Sequence, residues 1–195
     1  MVANCTAFKN IYDKIPYYLP VDKALERIKN GNSRQMVFEI RNTIDKERQD
    51  KLKRNLPSIC FSGEFKERKD EEIIKHSGFI VLDFDNIFEV KEKKKEISES
   101  KFTYACWISP RNNGVKALVR IADGSKHREH FQALRKHFPD CDKSGVNQSR
   151  VCYESYDADL FINENSKVWT LKKEYTEVTR KNNYPKHFQI TDTNK

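Results

Sequence analysis

The chain has 195 residues and a formal net charge of +8, with 37% hydrophobic and 34% charged residues. This length suffices for one well-buried domain, and the excess of Lys and Arg favours a polyanion as partner, nucleic acid before an anionic membrane surface. No apolar stretch approaches the roughly 18 residues of a membrane-spanning helix, and five scattered cysteines without a Cys-x-x-Cys pair argue against a zinc knuckle or a redox motif. We therefore expect an intracellular, cytoplasmic protein with reduced thiols.

The N-terminal elements are predicted from short periodic segments. Residues 1–20 contain a short strand followed by a proline-punctuated aromatic turn. A helix is expected over 21–29, with Gly31 just past its end. A second helix is expected over about 33–53, with apolar positions at Val37, Ile40, Ile44 and Leu52. The apolar run 58–63 then predicts a strand that enters a glycine turn.

The stretch 78–86, Gly-Phe-Ile-Val-Leu-Asp-Phe-Asp-Asn, carries the first chemical signal. Its apolar run, rich in β-branched and aromatic residues, predicts a buried strand. Side chains alternate along a strand, so Asp83 and Asp85 are expected on the same face, roughly 7 Å apart. Paired carboxylates at the end of a buried strand favour a hard divalent ion such as Mg²⁺ or Mn²⁺. The alternative is that the strand ends at Leu82 and that both aspartates are solvated or cap the next helix.

The rest of the chain alternates helices with short strands. Residues 90–100 predict a lysine-rich helix with a solvated face. Segments 104–109 and 115–121 flank an Asn-Asn-Gly loop and therefore predict a hairpin. Ser125 is expected to cap a helix that runs to Phe138. Further short strands are expected over 150–153, 160–162 and 168–171. This order predicts an α+β fold in which antiparallel hairpins alternate with helices.

Acidic and basic candidates cluster around the predicted hairpin. Asp142 is a third acidic candidate beside Asp83 and Asp85. The hairpin and the strand after Asp142 add polar and basic candidates, namely Ser109, Arg111, Lys116 and Arg150. Carboxylates that hold metal ions and cations that hold a triphosphate are together what nucleotidyl transfer requires. Two metal ions about 3.5–4 Å apart can activate a 3′-hydroxyl and stabilise the leaving pyrophosphate, while Arg adds bidentate phosphate contacts.

Other residues have structural and functional interpretations that the sequence leaves open. His127 and His130 have a spacing that can hold zinc, but no third ligand is evident nearby and exposed helix positions are favoured. His76 fits either a turn hydrogen bond or the site. Two tryptophans, Trp107 and Trp169, are expected in the core. The basic residues that we interpret either as contacts to a DNA backbone or as solvated surface are Lys51, Lys53, Arg54 and Arg68.

Four segments, 56–65, 76–85, 109–118 and 142–157, resemble one family in the same order. It is the VirE/BT4734-like N-terminal domain of phage and mobile-element proteins, a branch of the archaeo-eukaryotic primase, or primase-polymerase, superfamily. The resemblance extends over about residues 5–170.

The fold that this resemblance implies is an RRM-like antiparallel sheet with flanking helices, plus an N-terminal α/β part and an active site in the cleft between them. In this interpretation residues 1–175 form the catalytic domain. Its N-terminal part covers about 1–75 and its RRM-like part about 76–175. Residues 176–195 are expected to be a polar tail or linker.

The family's motifs also assign acidic roles by resemblance. Asp83 and Asp85 match its Asp-x-Asp metal pair. Asp142 matches the third acidic position of the metal site, and Asp157 is a rival for that position.

The nucleotide-binding roles follow from the same resemblance. Ser109 matches the serine of a Ser-x-His motif, but position 111 is Arg where the motif has His. Lys116 falls where relatives place a contact to the triphosphate. Apart from these motifs, Arg150 is interpreted either as a further contact to the triphosphate or as a structural partner of Asp142 or Glu154. An arginine at position 111 can still bind phosphate.

The resulting functional interpretation is a DNA primase-polymerase domain that uses Mg²⁺ or Mn²⁺, nucleoside triphosphates and a single-stranded or primed DNA template. Relatives usually continue into a helicase domain, so a helicase domain or protein is a further expected partner. Two alternatives remain open at this point. One is a non-catalytic nucleic-acid-binding module that lost turnover with the motif histidine, and the other is a metal-dependent nuclease that uses the same carboxylates.

Overall fold

A computed structural model describes residues 3–172 of the chain, and these residues form five α-helices and ten β-strands. The helices are α1 (Val21–Asn30), α2 (Arg34–Asn42), α3 (Lys46–Asn55), α4 (Val90–Ser98) and α5 (His127–His137). None of these helices is long and apolar enough to cross a membrane. The expected α+β class is confirmed, while the predicted tail 176–195 lies outside the described residues.

The strands form three antiparallel sheets. They are β1 (Asn4–Phe8), β2 (Tyr17–Pro20), β3 (Ser58–Cys60), β4 (Gly63–Phe65), β5 (Ile73–His76), β6 (Phe79–Asp85), β7 (Thr103–Ile108), β8 (Gly114–Arg120), β9 (Cys152–Tyr153) and β10 (Phe161–Ile162). An N-terminal sheet has the order β2-β1-β3-β9, a central sheet has the order β10-β7-β8-β6, and β4 pairs with β5.

The register of the central sheet places the two acidic residues of β6 opposite residues of β8, the second strand of the hairpin. Asp83 on β6 lies opposite Lys116 on β8, and Asp85 lies opposite Gly114. From β6 to β10 the elements follow the order β-α-β-β-α-β-β, because α4 connects β6 with β7, α5 follows β8, and β9, which pairs in the N-terminal sheet, precedes β10. The predicted hairpin of β7 and β8 is confirmed.

The two faces of the central sheet pack against different layers. Ile80, Leu82 and Phe84 of β6 belong to a core with residues of α4 and α5. Phe79 and Val81, which alternate with them, belong to a second core with residues of α1 and the N-terminal sheet. Asp83 and Asp85 continue this second set along the strand. The two carboxylates therefore lie on the face that the N-terminal elements cover.

The long helix predicted over 33–53 is wrong, because the structure divides it into α2 and α3. Asp45 caps α3, since its side chain accepts a hydrogen bond from the backbone N–H of Arg48 at 2.7 Å. Thr43 before it is extended. Ile44, which favoured a single apolar face, is fully exposed in this break.

Other predicted boundaries also shift. The strand predicted over 58–63 is split between β3 and β4, and the strand predicted over 150–153 is limited to β9. Instead of a strand over 168–171, the structure has a single bridge between Trp169 and Ile121. The predicted Ser125 cap is wrong, because Asp123 caps a 3₁₀ turn, Gly124–Lys126, that precedes α5. Short strands depend on pairing partners that local propensity does not encode.

A chain of hydrogen bonds through His76, which is half-buried, and His127, which is buried, joins β5 to α5. The backbone N–H of Gly78 donates to Nδ1 of His76 at 2.9 Å, so the ring proton is on Nε2, which donates to Nδ1 of His127 at 3.0 Å. The Nε2–H of His127 then faces the carbonyl oxygen of Gly145 at 3.3 Å. His127 and His130 are both buried, which corrects the expectation of exposed positions. The turn hydrogen bond considered for His76 is present.

We expect this histidine pair to make the stability of the fold depend on pH. Burial lowers the pKa of His76 and His127 from 6.5 to about 4, and the neighbouring His127 lowers that of His76 further. Between these values the unfolded chain binds protons that the folded chain does not, so stability is complete above pH 6.5 and decreases toward pH 4. Chemical denaturation at a series of pH values measures this loss.

The matched comparison is between His76→Gln, which removes one of the two groups, and His137→Gln, which removes an exposed histidine of α5. The His76→Gln protein should lose less stability between pH 6.5 and 4 than the His137→Gln protein. Identical profiles for the two variants would contradict the assignment.

Candidate functional site

A cavity of about 310 Å³ opens at the end of β6, between the central sheet and the segments that carry α3 and β9. We call it the site cavity. Six of the seven predicted site residues line it, namely Asp83, Asp85, Ser109, Arg111, Lys116 and Arg150. Its volume is at the lower end of the roughly 300–1,000 Å³ typical of ligand pockets. The structure thus brings six predicted residues together in one concave, polar cavity.

A buried ion pair between Asp83 and Lys116 forms the floor of the site cavity. Nζ of Lys116 lies 2.5 Å from Oδ2 of Asp83, and both side chains are about nine-tenths buried. Burial opposes the charge of Lys116, but Cys152, Asp83 and Asp85 raise its pKa above the ordinary value. The second oxygen of Asp83, Oδ1, is buried and has no hydrogen-bond partner within residues 3–172. A buried carboxylate oxygen of this kind favours a further donor or a cation.

Asp85 is exposed and lies two residues beyond this pair. Partial burial and the nearby charge of Asp83 raise the pKa of Asp85, against the effect of Lys116. A Cβ on Gly114 would stand 2.6 Å from the carbonyl oxygen of Phe84, 3.3 Å from Oδ1 of Asp85 and 3.4 Å from Oγ of Ser109. Only glycine therefore fits at this position, and its missing side chain lets Asp85 and Ser109 approach the same point.

The loops that carry these groups are bonded to one another. Asn86 and Asn112 have positive φ angles of 57° and 59°, a region that Asn tolerates better than most residues. The backbone N–H of Ile87 donates to the carbonyl oxygen of Asn113 at 3.0 Å, which joins the loop after β6 to the hairpin loop. The backbone N–H of Ser109 donates to the carbonyl oxygen of Gly114 at 2.9 Å. The acid pair and Ser109 are thus fixed on one frame.

Arg41 of α2 supports the same frame from outside the cavity. Its Nη2 donates to the carbonyl oxygens of Ser109 at 3.2 Å and of Tyr156 at 2.9 Å. The side-chain Oγ of Ser109 is buried and has no partner in the part of the chain that the structure describes. Oγ is therefore available as a donor into the site cavity.

Four cations face the two carboxylates in the cavity. Arg111 forms an ion pair with Asp50 of α3, and Arg150 is exposed. Lys53 lies 5.2 Å from the ring centre of Tyr153, and burial together with Lys116 lowers its pKa. With Lys116 the lining has four basic side chains and two acidic ones. This balance suits an anion that is bound together with a cation.

Two members of this arrangement were not predicted as site residues. Lys53 was interpreted only as a DNA contact or solvated surface, although its position on α3 brings it into the site cavity. Arg41 was not singled out at all, and its role depends on contacts with Ser109 and Tyr156, which lie 68 and 115 positions further along the chain. The only local signal for either residue was a basic side chain on a charged helix face.

The two candidates for a third acid occupy different environments. The backbone N–H of Asp142 donates to the carbonyl oxygen of Asp83 at 2.7 Å, but its carboxylate accepts the backbone N–H and Oγ–H of Ser144 and does not line the site cavity. These hydrogen bonds lower its pKa. Asp157 is buried, accepts from Lys94 at 2.7 Å and from the backbone N–H of Ile108 at 2.9 Å, and also lies outside the lining.

The donor groups present fit a divalent ion only in part. Oδ1 of Asp83 and the carboxylate of Asp85 are hard oxygen ligands on the same strand face, and Asp142 is near enough to contribute to the raised pKa of Asp85. Among residues 3–172, however, no group of three or more His, Cys, Asp or Glu side chains is arranged to hold a metal ion. A bound ion would therefore need ligands from water or substrate, as Mg²⁺ usually does.

Comparison with known proteins gave one match. A family model described as BT4734-like, N-terminal domain, matches residues 51–161, which is more than half of the chain. The matched range contains both aspartates of β6, the hairpin and Arg150. The searches of curated proteins and of solved structures found no match to the chain.

We expect the floor of the site cavity to be sensitive to the loss of either charge alone. Lys116→Met should destabilise the fold by about 3–5 kcal/mol, because it leaves Asp83 buried without its counter-charge. The double variant Asp83→Leu/Lys116→Met should recover most of this loss, since a well-packed apolar pair avoids the cost of desolvation. Chemical denaturation of Asp83→Leu, Lys116→Met, the double variant and the wild type gives the coupling free energy.

The control is Lys51→Met, which removes a cation from an exposed pair with Glu47 and should change stability by less than about 1 kcal/mol. A Lys116→Met protein as stable as the Lys51→Met protein would show that the buried pair does not stabilise the fold.

Proposed function

The chain belongs to the BT4734-like N-terminal domain family, and from this membership together with the contents of the site cavity we propose that it is a DNA primase-polymerase catalytic domain. The observation that carries the proposal is the pairing of two carboxylates, one of them with a buried and unpartnered oxygen among the described residues, with four cations in one cavity. The reaction is the metal-dependent transfer of a nucleotide from a nucleoside triphosphate onto a nucleic-acid strand.

The arrangement of elements supports the finer fold assignment that accompanies this function. Without β9, which belongs to the N-terminal sheet, the elements from β6 to β10 have the order β-α-β-β-α-β of an RRM-like sheet whose helices cover one face, although β10 here pairs with β7, whereas the last strand of an RRM-like sheet pairs with the first. The N-terminal sheet and its helices cover the other face and contribute Lys53 and Tyr153 to the site cavity. A cleft between two such parts is where the proposed primase-like fold would have its active site.

The acidic side chains account for the proposed metal dependence. Asp83, through Oδ1, and Asp85 would hold Mg²⁺ or Mn²⁺, and the ion would supply stabilisation of negative charge on the reacting phosphate. Lys116 keeps the second oxygen of Asp83 neutralised and fixes the direction of Oδ1. Asp142 would act on the same region through its charge, because its carboxylate is bonded to Ser144.

The basic and polar side chains account for the proposed nucleotide. Arg150 is exposed, and it lines the site cavity together with Arg111, Lys53 and Asp85. Guanidinium groups bind phosphate oxygens with bidentate geometry, so Arg111 and Arg150 would orient the triphosphate. Oγ of Ser109, which has no partner within the described residues, would donate a further hydrogen bond.

A non-catalytic nucleic-acid-binding module is the second candidate, and two observations favour it. Arg111 stands where the Ser-x-His motif has a histidine, and its guanidinium is already paired with Asp50. Lys116 already occupies one oxygen of Asp83. Such a module would bind nucleic acid without a divalent ion, whereas the catalytic domain requires one.

We expect the purified chain to extend a primed DNA template with deoxynucleoside triphosphates in the presence of Mn²⁺ or Mg²⁺. Asp83→Asn and Asp85→Asn should each reduce the extension rate by about 100-fold or more, because several kcal/mol of charge stabilisation depend on the ion. The control is Asp140→Asn, which removes an exposed acid that pairs with Lys93 and should leave the rate unchanged.

Extension that continues at the wild-type rate in both site variants would contradict the assigned roles. The absence of any product, together with DNA binding that does not depend on the ion, would favour the non-catalytic module. Shortening of the labelled strand instead of extension would indicate a nuclease.

A further inference from the structure

A second and larger cavity, about 880 Å³, adjoins the site cavity. Three segments line it, namely the turn between β1 and β2, the loop between β4 and β5, and the residues that precede β9. We call it the basic groove. It has five basic side chains and one acidic one, which are Lys14, Lys66, Arg68, Lys69, Arg150 and Glu67.

Internal contacts keep this groove in shape. The guanidinium of Arg68 lies 4.9 Å from the ring centre of Phe8 and donates to the carbonyl oxygen of Asp13 at 3.1 Å, so it joins the β4–β5 loop to the turn after β1. Oδ1 of Asp70, in the connection between β4 and β5, accepts the backbone N–H of Ser149 on the third segment at 2.9 Å and its Oγ–H at 2.7 Å. The three segments are therefore held together without using Lys14 or Lys66.

Most of the positive charge in the groove is available for a ligand. Lys14, Lys66 and Arg150 are exposed, and none of them has an ion-pair partner within residues 3–172. Lys69 pairs only with Glu67 across the surface. Lysines that neutralise the phosphates of a nucleic acid release the counterions condensed on that polymer. Solvated lysines of this kind therefore suit a chain of phosphates better than a single anion.

The basic groove leads directly to the site cavity. Arg150 and Val151 line both cavities. A ligand that occupies the groove would therefore reach the mouth of the cavity that contains Asp83 and Asp85. This continuity argues for a polymeric ligand that extends from the basic groove into the site cavity.

The shape and lining favour a single strand over a duplex. Besides its cations the groove is lined by apolar side chains: Ile11 and Val151 are partly exposed, whereas Phe8 is buried beneath Arg68. Splayed bases of a single strand can contact such apolar surface while the phosphates meet the cations, whereas a duplex keeps its bases stacked inside. A volume of about 880 Å³ accommodates a few nucleotides.

We infer that the basic groove binds a single-stranded nucleic acid and guides it into the site cavity. The inference rests on the proposed function only for the role of that strand, which would be the template. Binding in the groove requires neither turnover nor a divalent ion.

The test is the binding of a fluorescently labelled oligothymidine to the whole chain in EDTA, measured by anisotropy over a range of salt concentrations. Lys14→Ala/Lys66→Ala should weaken binding about tenfold at moderate salt and reduce the slope of log affinity against log salt by about 1.4, or about 0.7 for each lost phosphate contact. Lys91→Ala/Lys95→Ala is the matched control, because it removes the same charge from exposed positions on α4 and should change neither quantity.

Equal weakening by the two double variants would overturn the inference, since it would indicate general surface attraction. It would also be overturned if the groove lysines were required for binding to phosphatidylserine vesicles and not to the oligonucleotide. Asp85→Asn, at an exposed position outside the buried pair, should retain oligonucleotide binding in EDTA. If the wild-type chain binds the oligonucleotide in EDTA but does not extend a primed strand, the proposed function alone is overturned. If the wild-type chain extends the strand and the Lys14→Ala/Lys66→Ala variant binds the oligonucleotide as tightly as the wild type, this inference alone is overturned.

Discussion

The buried ion pair between Asp83 and Lys116 is the interaction on which the candidate site depends. Two charges removed from water cost several kcal/mol each, and their attraction compensates this cost only with close geometry, here 2.5 Å. A pair of apolar side chains would stabilise the same position at lower cost. The pair leaves Oδ1 of Asp83 buried and without a partner among the described residues, and Asp83 lines a cavity with three further cations. A buried charged pair that stabilises the fold less than an apolar pair would is expected at a position where function requires the charges.

The surrounding elements keep opposite charges close without neutralising all of them. Gly114 allows Asp85 and Ser109 to approach one point, and the loops after β6 and β7 are bonded to each other. The N-terminal part supplies Lys53, while Arg150 belongs to the segment that leads into β9. Because these residues come from distant parts of the chain, the site exists only when both sheets have formed. The same segment places Arg150 where the basic groove and the site cavity meet.

Local patterns in the sequence predicted the strands and turns that depend on residues adjacent along the chain. The apolar run before Asp83 predicted β6, and the Asn-Asn-Gly loop predicted the hairpin that sets Lys116 opposite Asp83. Long-range contacts were beyond this reasoning. Nothing in the charged stretch of α3 indicates that Lys53 turns into a cavity, and nothing near Asp142 shows that Ser144 binds its carboxylate. The break between α2 and α3 was missed because the helical period of apolar residues outweighed the capping preference of Asp45.

The most direct test of this account is the position of Mn²⁺ in crystals of the chain grown with a non-hydrolysable deoxynucleoside triphosphate, located by anomalous diffraction. The account predicts an ion within coordinating distance, about 2 Å, of Oδ1 of Asp83 and of the Asp85 carboxylate, with the triphosphate on Arg111 and Arg150. A triphosphate bound to these cations with no ion on either aspartate, or an ion held elsewhere on the chain, would contradict it.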